Sequence, residues 1–79
     1  MIGVTALHVL RFLRDYQDEH GEPPTLSQID KEVGLRARAT SWQHCQNWLR
    51  DGFVEARDTM GRKYRITTQG RQLLELYQQ

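Results

Sequence analysis

The chain has 79 residues, a formal net charge of +1 and a single cysteine, Cys45. A chain of this length forms one domain with one modest core, which we assign to residues 1–79. One cysteine excludes an internal disulfide, and no apolar run is long enough to span a bilayer. The N-terminal segment reaches charge at Arg11 and Arg14, which is unlike a secretory leader, so we expect a cytoplasmic protein.

The charges are unevenly distributed along the chain. Residues 34–65 contain seven basic and three acidic residues, a net charge of +4, and the remainder carries a net charge of −3. A basic segment in an otherwise acidic chain is typical of a surface that faces a polyanion. A scatter of solvated charges is the alternative interpretation of the same count.

A first helix is predicted over residues 5–19, with Thr5 as its N-cap. The apolar side chains that recur at helical spacing are Ala6, Val9, Leu10, Leu13 and Tyr16. Gly21 ends this helix. Pro23 and Pro24 then favour an extended connection, because a residue before proline is pushed out of the helical region.

A second, short helix is predicted to begin directly after Thr25. Thr25 and Gln28 have the spacing of a capping box, in which the hydroxyl accepts one backbone N–H and the glutamine reaches back to another. Leu26, Ile29 and Val33 form its buried stripe, and Gly34 is expected to end it in a left-handed conformation. The paired prolines would thus fix the point at which this helix starts.

A third helix is predicted over residues 37–51, which completes a helix-turn-helix. At 100° per residue its inner face contains Ala37, Ser41, Cys45, Trp48 and Leu49. Its outer face contains Ala39, Gln43, Gln46 and Arg50. Trp42 and Asn47 lie on the flanks between the two faces.

A β-hairpin and a fourth helix are predicted after Gly52. The segment FVEA forms the first strand, RDTMGR the turn, and KYRIT the second strand, with Tyr64 and Ile66 on one face. Thr67 or Thr68 then caps a helix that carries Leu73, Leu74, Leu76 and Tyr77. We predict a mainly α fold with a small β-hairpin, a winged helix-turn-helix with three helices, a two-stranded wing and a C-terminal fourth helix.

The sequence also resembles a known family, the N-terminal DNA-binding domain of the LexA repressor. The matching segments are GEPPTLSQIDKEVGLR at residues 21–36 and RDGFV after the third helix, and the resemblance covers roughly residues 5–66. It implies double-stranded DNA as the partner and a role as a transcription regulator, in particular a repressor. It does not extend to the LexA protease domain.

The resemblance is incomplete on the third helix. Ala37 and Arg38 stand where the family has serine and proline, and Ala39, Trp42 and Gln43 stand where it has an asparagine and two glutamates. The resemblance therefore implies the family's docking mode, with the third helix in the major groove and the wing on the backbone, but not its target sequence.

Side chains of two kinds are candidates for DNA contact. Glutamine has the geometry to pair with adenine, and arginine or lysine can contact phosphates. Trp42 could contact a thymine methyl or sugar-phosphate, or could equally close the core; Gln43 and Gln46 could also be ordinary exposed helix residues. The predicted DNA-binding residues are Arg36, Arg38, Ala39, Thr40, Trp42, Gln43, Gln46, Asn47, Arg62, Lys63 and Arg65.

Other kinds of site are not indicated by the sequence. His8, His20 and His44 lie on different elements, so we expect no metal site, and no motif indicates a cofactor or an enzyme. A homodimer is predicted, with Leu76 and part of Tyr77 in the contact. The alternative function is that of a winged-helix protein-interaction module in a replication, recombination or polymerase complex, since this fold serves both purposes.

Overall fold

Four helices and one hairpin follow one another along the chain in the computed structural model, which describes residues 4–34, 40–57 and 61–77. The elements are α1 (Val4–His20), α2 (Leu26–Val33), α3 (Thr40–Arg50), β1 (Val54–Ala56), β2 (Tyr64–Ile66) and α4 (Thr68–Tyr77). The order is that of a winged helix-turn-helix, as predicted. No helix within these residue ranges is long and apolar enough to cross a membrane.

The core is one cluster to which every helix and both strands give at least one buried side chain. Its buried members are Val9, Leu10, Leu13, Ile29, Cys45, Trp48, Val54, Tyr64, Ile66 and Leu74, with α2 and β1 each adding one. The predicted apolar stripes of the four helices thus meet in one place. Burial of these side chains is the main contribution to the stability of the fold.

Helix α1 is slightly longer than its prediction. Thr5, predicted as the N-cap, lies inside the helix, one residue after Val4. At the other end the Gly21 N–H donates to the Gln17 carbonyl at 2.8 Å. Gly21 has a φ of 76°, which residues other than glycine rarely adopt. The predicted stop at Gly21 is confirmed.

The capping box that opens α2 is confirmed in both directions. The Thr25 N–H donates to Gln28 Oε1 at 2.8 Å, and the Gln28 N–H donates to Thr25 Oγ1 at 3.2 Å. Pro23 and Pro24, just before it, are both buried. Gly34 ends α2 with φ 88° and ψ 154°. The positive φ is that of the predicted left-handed conformation, which glycine adopts readily, whereas ψ is extended.

Helix α3 turns its predicted inner face to the core. Ser41, Cys45 and Trp48 are buried, and Leu49 is half-buried. The Trp48 indole N–H donates to the Ala6 carbonyl at 2.9 Å, which joins α3 to α1. The Ser41 hydroxyl donates to the Asp30 carboxylate and joins α3 to α2. Residues 37–39, the predicted start of this helix, lie outside the described residues.

The hairpin pairs β1 and β2 antiparallel, with Val54 opposite Ile66 and Ala56 opposite Tyr64. Tyr64 and Ile66 are buried on the same face, as predicted, because side chains alternate along a strand. The strands are shorter than predicted, and Phe53 precedes β1 and packs edge-on against Trp48. The backbone N–H of Ile66 donates to Gln17 Oε1 of α1 at 3.2 Å.

Helix α4 begins under the cap of Thr67, whose Oγ1 accepts the N–H of Gly70 at 3.1 Å. Its first turn approaches the hairpin closely, since a Cβ at Gly70 would lie 2.3 Å from the Phe53 carbonyl oxygen. Arg71 holds the helix to α1 through two hydrogen bonds to Asp18, at 2.8 and 3.1 Å. Thus α4 is docked on the domain through its first half.

Candidate nucleic-acid interface

The outward side of α3 presents one large aromatic ring and a pair of amides. Trp42 is 53% exposed, which settles the two orientations left open by its flank position in favour of solvent. Gln43 is also exposed, and its Nε2 donates to Asn47 Oδ1 at 3.3 Å. Residues four apart lie next to each other on a helix, so these two amides form one polar surface beside the indole.

Gln46 lies on the border between α3 and the hairpin. Its Nε2 donates to the hydroxyl of Tyr64 at 2.7 Å, and Tyr64 is only 1% exposed. A buried phenol needs a hydrogen-bond partner, and Gln46 supplies it. The amide therefore fixes the hairpin against α3, and a base contact by Gln46 stays a prediction.

The cations of the hairpin fall into two groups. Lys63 and Arg65 are half-exposed, and Lys63 Nζ lies 5.5 Å from the centre of the Tyr64 ring. Arg65 stands opposite Glu55 across the two strands. Arg62 instead turns toward the connection between α1 and α2, where its Nε lies 3.3 Å from Glu22 Oε2. A DNA contact by Arg62 stays a prediction, but its guanidinium already has protein partners.

An open cleft of about 70 Å³ lies between the hairpin and the α1–α2 connection. Four basic side chains and one carboxylate line it, together with a proline: Arg57, Arg62, Lys63, Arg65, Glu22 and Pro23. Arg57 is absent from the set of residues predicted to bind DNA, although it belongs to the basic segment and that count could have indicated it. The cleft gives the hairpin a positive potential suited to phosphate.

Several predicted contact residues cannot be placed. Arg36, Arg38 and Ala39 lie outside the described residues, and the side chain of Thr40 does too. The described part of the predicted site is therefore split between α3 and the hairpin. Trp42, Gln43 and Asn47 lie on α3, and Lys63 and Arg65 lie on the hairpin.

Reactive and metal-binding groups take no part in this surface. Burial, and secondarily the nearby Asp30 carboxylate, raises the pKa of the Cys45 thiol to about 12, so the thiol stays protonated at neutral pH. This agrees with the predicted role of Cys45 as a core residue. In the described ranges no three His, Cys, Asp or Glu side chains are grouped so that they could hold a metal ion.

A short helix packed on an exposed helix, followed by a basic hairpin, defines a winged helix-turn-helix protein. The model of the LexA DNA binding domain family matches residues 5–63, most of the chain. The chain therefore belongs to the LexA DNA-binding domain family, which confirms the resemblance found in the sequence. This family does not favour the alternative of a protein-interaction module.

Similar proteins include LexA repressors from several bacteria. The LexA repressor of Leuconostoc mesenteroides is 31% identical over 70 residues, covering 86% of this chain and 33% of the relative. That of Oenococcus oeni is 34% identical over 70 residues, covering 89% and 33%. That of Lactobacillus acidophilus is 34% identical over 65 residues, covering 82% and 31%. The chain spans about one third of the length of these relatives.

Proposed function

We propose that this protein binds specific sequences of duplex DNA and regulates transcription. The observation that carries the proposal is that a LexA-type DNA-binding domain presents an exposed aromatic and amide surface on α3, next to a cationic hairpin. In a winged helix-turn-helix, the exposed helix enters the major groove and the wing lies on the adjacent backbone. Its ligand, DNA, leads us to expect the protein in the cytoplasm.

The α3 residues are proposed to read bases. Gln43 carries an amide that can pair with adenine N6 and N7 in the major groove, and Asn47 lies one turn away. Trp42 is suited to an apolar contact with a thymine methyl or with a sugar on the groove wall. These side chains differ in type from those of the resembling family, so we expect a different target sequence.

The hairpin residues are proposed to contact phosphates without regard to sequence. Lys63, Arg65 and Arg57 contribute three cations around one cleft, where Glu22 is the one carboxylate among the described lining residues. Contacts to phosphate fix the position of the protein on the duplex and carry no sequence information. Arg36 and Arg38, near the start of α3, are proposed to add contacts of the same kind.

Selection of bound sequences from a random duplex library tests this proposal. The expected result is a defined consensus of a few base pairs per protein subunit, because one recognition helix reads only a short stretch of major groove. A library that remains random after repeated rounds, with folded protein, would contradict sequence-specific reading. The consensus would also show whether the target contains two half-sites.

A two-fold dimer is the second part of the proposal, since one recognition helix alone reads little DNA. Leu76 is 72% exposed and Tyr77 is 50% exposed, both on the last turn of α4. Helix α4 is docked on the domain as far as Leu74, which is fully buried. The apolar side chains of its last turn are therefore available to the same surface of a second copy.

Sedimentation of the parent and of Leu76→Glu, with and without the selected duplex, tests the dimer. A charge in an apolar contact should move the protein to monomer, or remove the two-subunit complex on DNA. Gln72→Glu, an exposed change on the same helix, is the matched control and should have no effect. A parent that is monomeric in both conditions removes the dimer, and a Leu76→Glu variant that still dimerises moves the contact elsewhere.

A further inference from the structure

The guanidinium of Arg62 joins the hairpin to the segment that begins the helix-turn-helix. Its Nη1 lies 3.0 Å from the Pro23 carbonyl oxygen, 3.3 Å from Gln28 Oε1 and 3.4 Å from Tyr16 Oη. Its Nε lies 3.3 Å from a carboxylate oxygen of Glu22. One side chain thus contacts the end of α1, the connection and the first turn of α2.

These partners suit an arginine better than a lysine, because Nη1 faces Pro23, Gln28 and Tyr16 while a second nitrogen, Nε, faces Glu22. The Pro23 carbonyl belongs to a buried residue, and Gln28 Oε1 already accepts the Thr25 N–H of the capping box. Arginine has five N–H donors in a planar fork that reaches acceptors in several directions, whereas lysine places one compact charge at the end of a flexible chain. The geometry of this contact therefore depends on the guanidinium and not on charge alone.

Contacts with the helices fix the orientation of the hairpin relative to the rest of the domain. Each strand has three residues, and a two-stranded hairpin by itself is marginal in water. The Gln46–Tyr64 hydrogen bond holds it to α3 at one point, and Arg62 holds it to the α1–α2 connection at another. The hairpin is also held to α1 by the hydrogen bond from the Ile66 N–H to Gln17 Oε1, and to the core by its buried side chains. Arg62 adds the contact at the end of the hairpin that carries Lys63.

We propose that Arg62 is a positioning residue that orients the hairpin, so that Lys63 and Arg65 meet the DNA backbone. The proposal rests on the proposed function for its ligand. Glu22 partly neutralises Arg62, and the side chain is only 25% exposed, which makes it a poor phosphate contact. Lys63 and Arg65 line the same cleft and supply the contacts that Arg62 holds in place.

Two variants at the same position separate positioning from charge. Arg62→Lys keeps the charge and loses the fork, and Arg62→Gln loses both. If Arg62 positions the hairpin, both should bind the selected duplex about tenfold more weakly than the parent. If Arg62 contacts a phosphate by its charge, Arg62→Lys should bind within twofold of the parent while Arg62→Gln is weakened, and the proposal is overturned.

The salt dependence of binding gives a readout that a purely structural role would not move. The slope of log K against log salt changes by about 0.9 for each phosphate contact. In the control, Lys63→Gln, the magnitude of the slope should fall by about 0.9, the value for one phosphate contact. In Arg62→Lys the magnitude should fall by about twice as much, because Lys63 and Arg65 both lose their phosphates. A residue that only stabilised the fold would leave the slope of the folded protein unchanged.

Hydrogen exchange without DNA tests the positioning independently of the proposed function. In Arg62→Lys, the amides that close the hairpin, Arg57 N–H to the Lys63 carbonyl and Thr67 N–H to the Phe53 carbonyl, should exchange at least tenfold faster. The amides in the middle of α1 should not change. Hairpin exchange that changes no more than that of α1 overturns the proposal, whereas faster hairpin exchange in a protein that binds no duplex overturns the proposed function and leaves the anchoring role intact.

Discussion

Trp42 and Gln43 are neighbours in the sequence and suit different kinds of DNA contact. The indole offers apolar area that excludes water, and the amide offers a donor and an acceptor held side by side. Both are exposed on α3, so neither is needed to complete the core. In the proposed function the base contact is made by the amide of Gln43, which donates a hydrogen bond to Asn47 Oδ1 one turn away.

Replacing Gln43 by alanine should change which bases are preferred. A lost bidentate contact to a base is worth about 1–3 kcal/mol of discrimination, so the preference at one position of the site should relax. Lys63→Gln is the control and should weaken all sequences to a similar degree. Selection with both variants measures the two effects. If the Gln43→Ala consensus equals that of the parent, Gln43 does not read a base.

The sequence predicts the faces of the helices better than it predicts the partners of single side chains. Helical periodicity places Gln46 on the outer face of α3, and the alternation of the strands places Arg62 in the hairpin. These patterns cannot show that Tyr64 lies within 2.7 Å of Gln46, or that the Pro23 carbonyl faces Arg62. Such contacts join residues far apart in the chain, and their geometry is set only when the elements pack.

The capping box of α2 is the clearest local element signal in the chain. Thr25 and Gln28 satisfy each other's backbone N–H groups, and Gln28 also accepts from Arg62. The pattern is predictable because all of its atoms lie within four residues. The exact strand ends and the extended ψ of Gly34 cannot be predicted in this way, because they depend on how the hairpin packs and on the residues that follow α2.

Thr25→Ala should destabilise the domain by about 1 kcal/mol, because the N-cap oxygen is lost while the N–H of Gln28 loses its partner. Chemical denaturation with urea measures the change in the unfolding midpoint. Thr25→Ser is the matched control, since its hydroxyl keeps the cap, and it should stay near the parent. A midpoint that is the same for all three proteins would mean that the cap contributes nothing to the fold.

The ion pair between Arg71 of α4 and Asp18 of α1 adds to the apolar packing of α4, and its contribution should depend on pH. The hydrogen bonds from Arg71 hold the pKa of the Asp18 carboxyl below its ordinary value. A group whose pKa is lower in the folded protein stabilises the fold above its unfolded pKa. That stabilisation is lost as the pH falls through the lowered, folded pKa.

Comparing the parent with Asp18→Asn therefore gives a pH signature. The parent should be the more stable at neutral pH. The difference should shrink as the pH falls below about 4, where the carboxylate of the unfolded chain takes up a proton, and vanish below the lowered pKa of Asp18. Glu19→Gln, a change at the neighbouring exposed carboxylate, is the control. Thermal unfolding across the pH range measures both. A difference that is constant with pH would show that the ion pair is not its source.

Over the whole molecule the net charge is small, but the charges are unevenly distributed along the chain. The chain carries +1 in total, but the segment from residue 34 to residue 65 carries +4 and includes α3 and the hairpin. The order of elements and the position of this segment are both readable from the sequence, because they need only the periodicities and the charge count. We propose that this segment binds duplex DNA.

The measurement that tests this claim most directly is the affinity of the purified protein for its selected duplex and for a scrambled duplex, over a range of salt concentrations. We expect log K to fall linearly with log salt for both duplexes, because phosphate contacts release counterions. We also expect the selected duplex to bind at least about tenfold more tightly, which one base contact can supply. Folded protein that binds no duplex at low salt, or binds both with an affinity independent of salt, would contradict this claim.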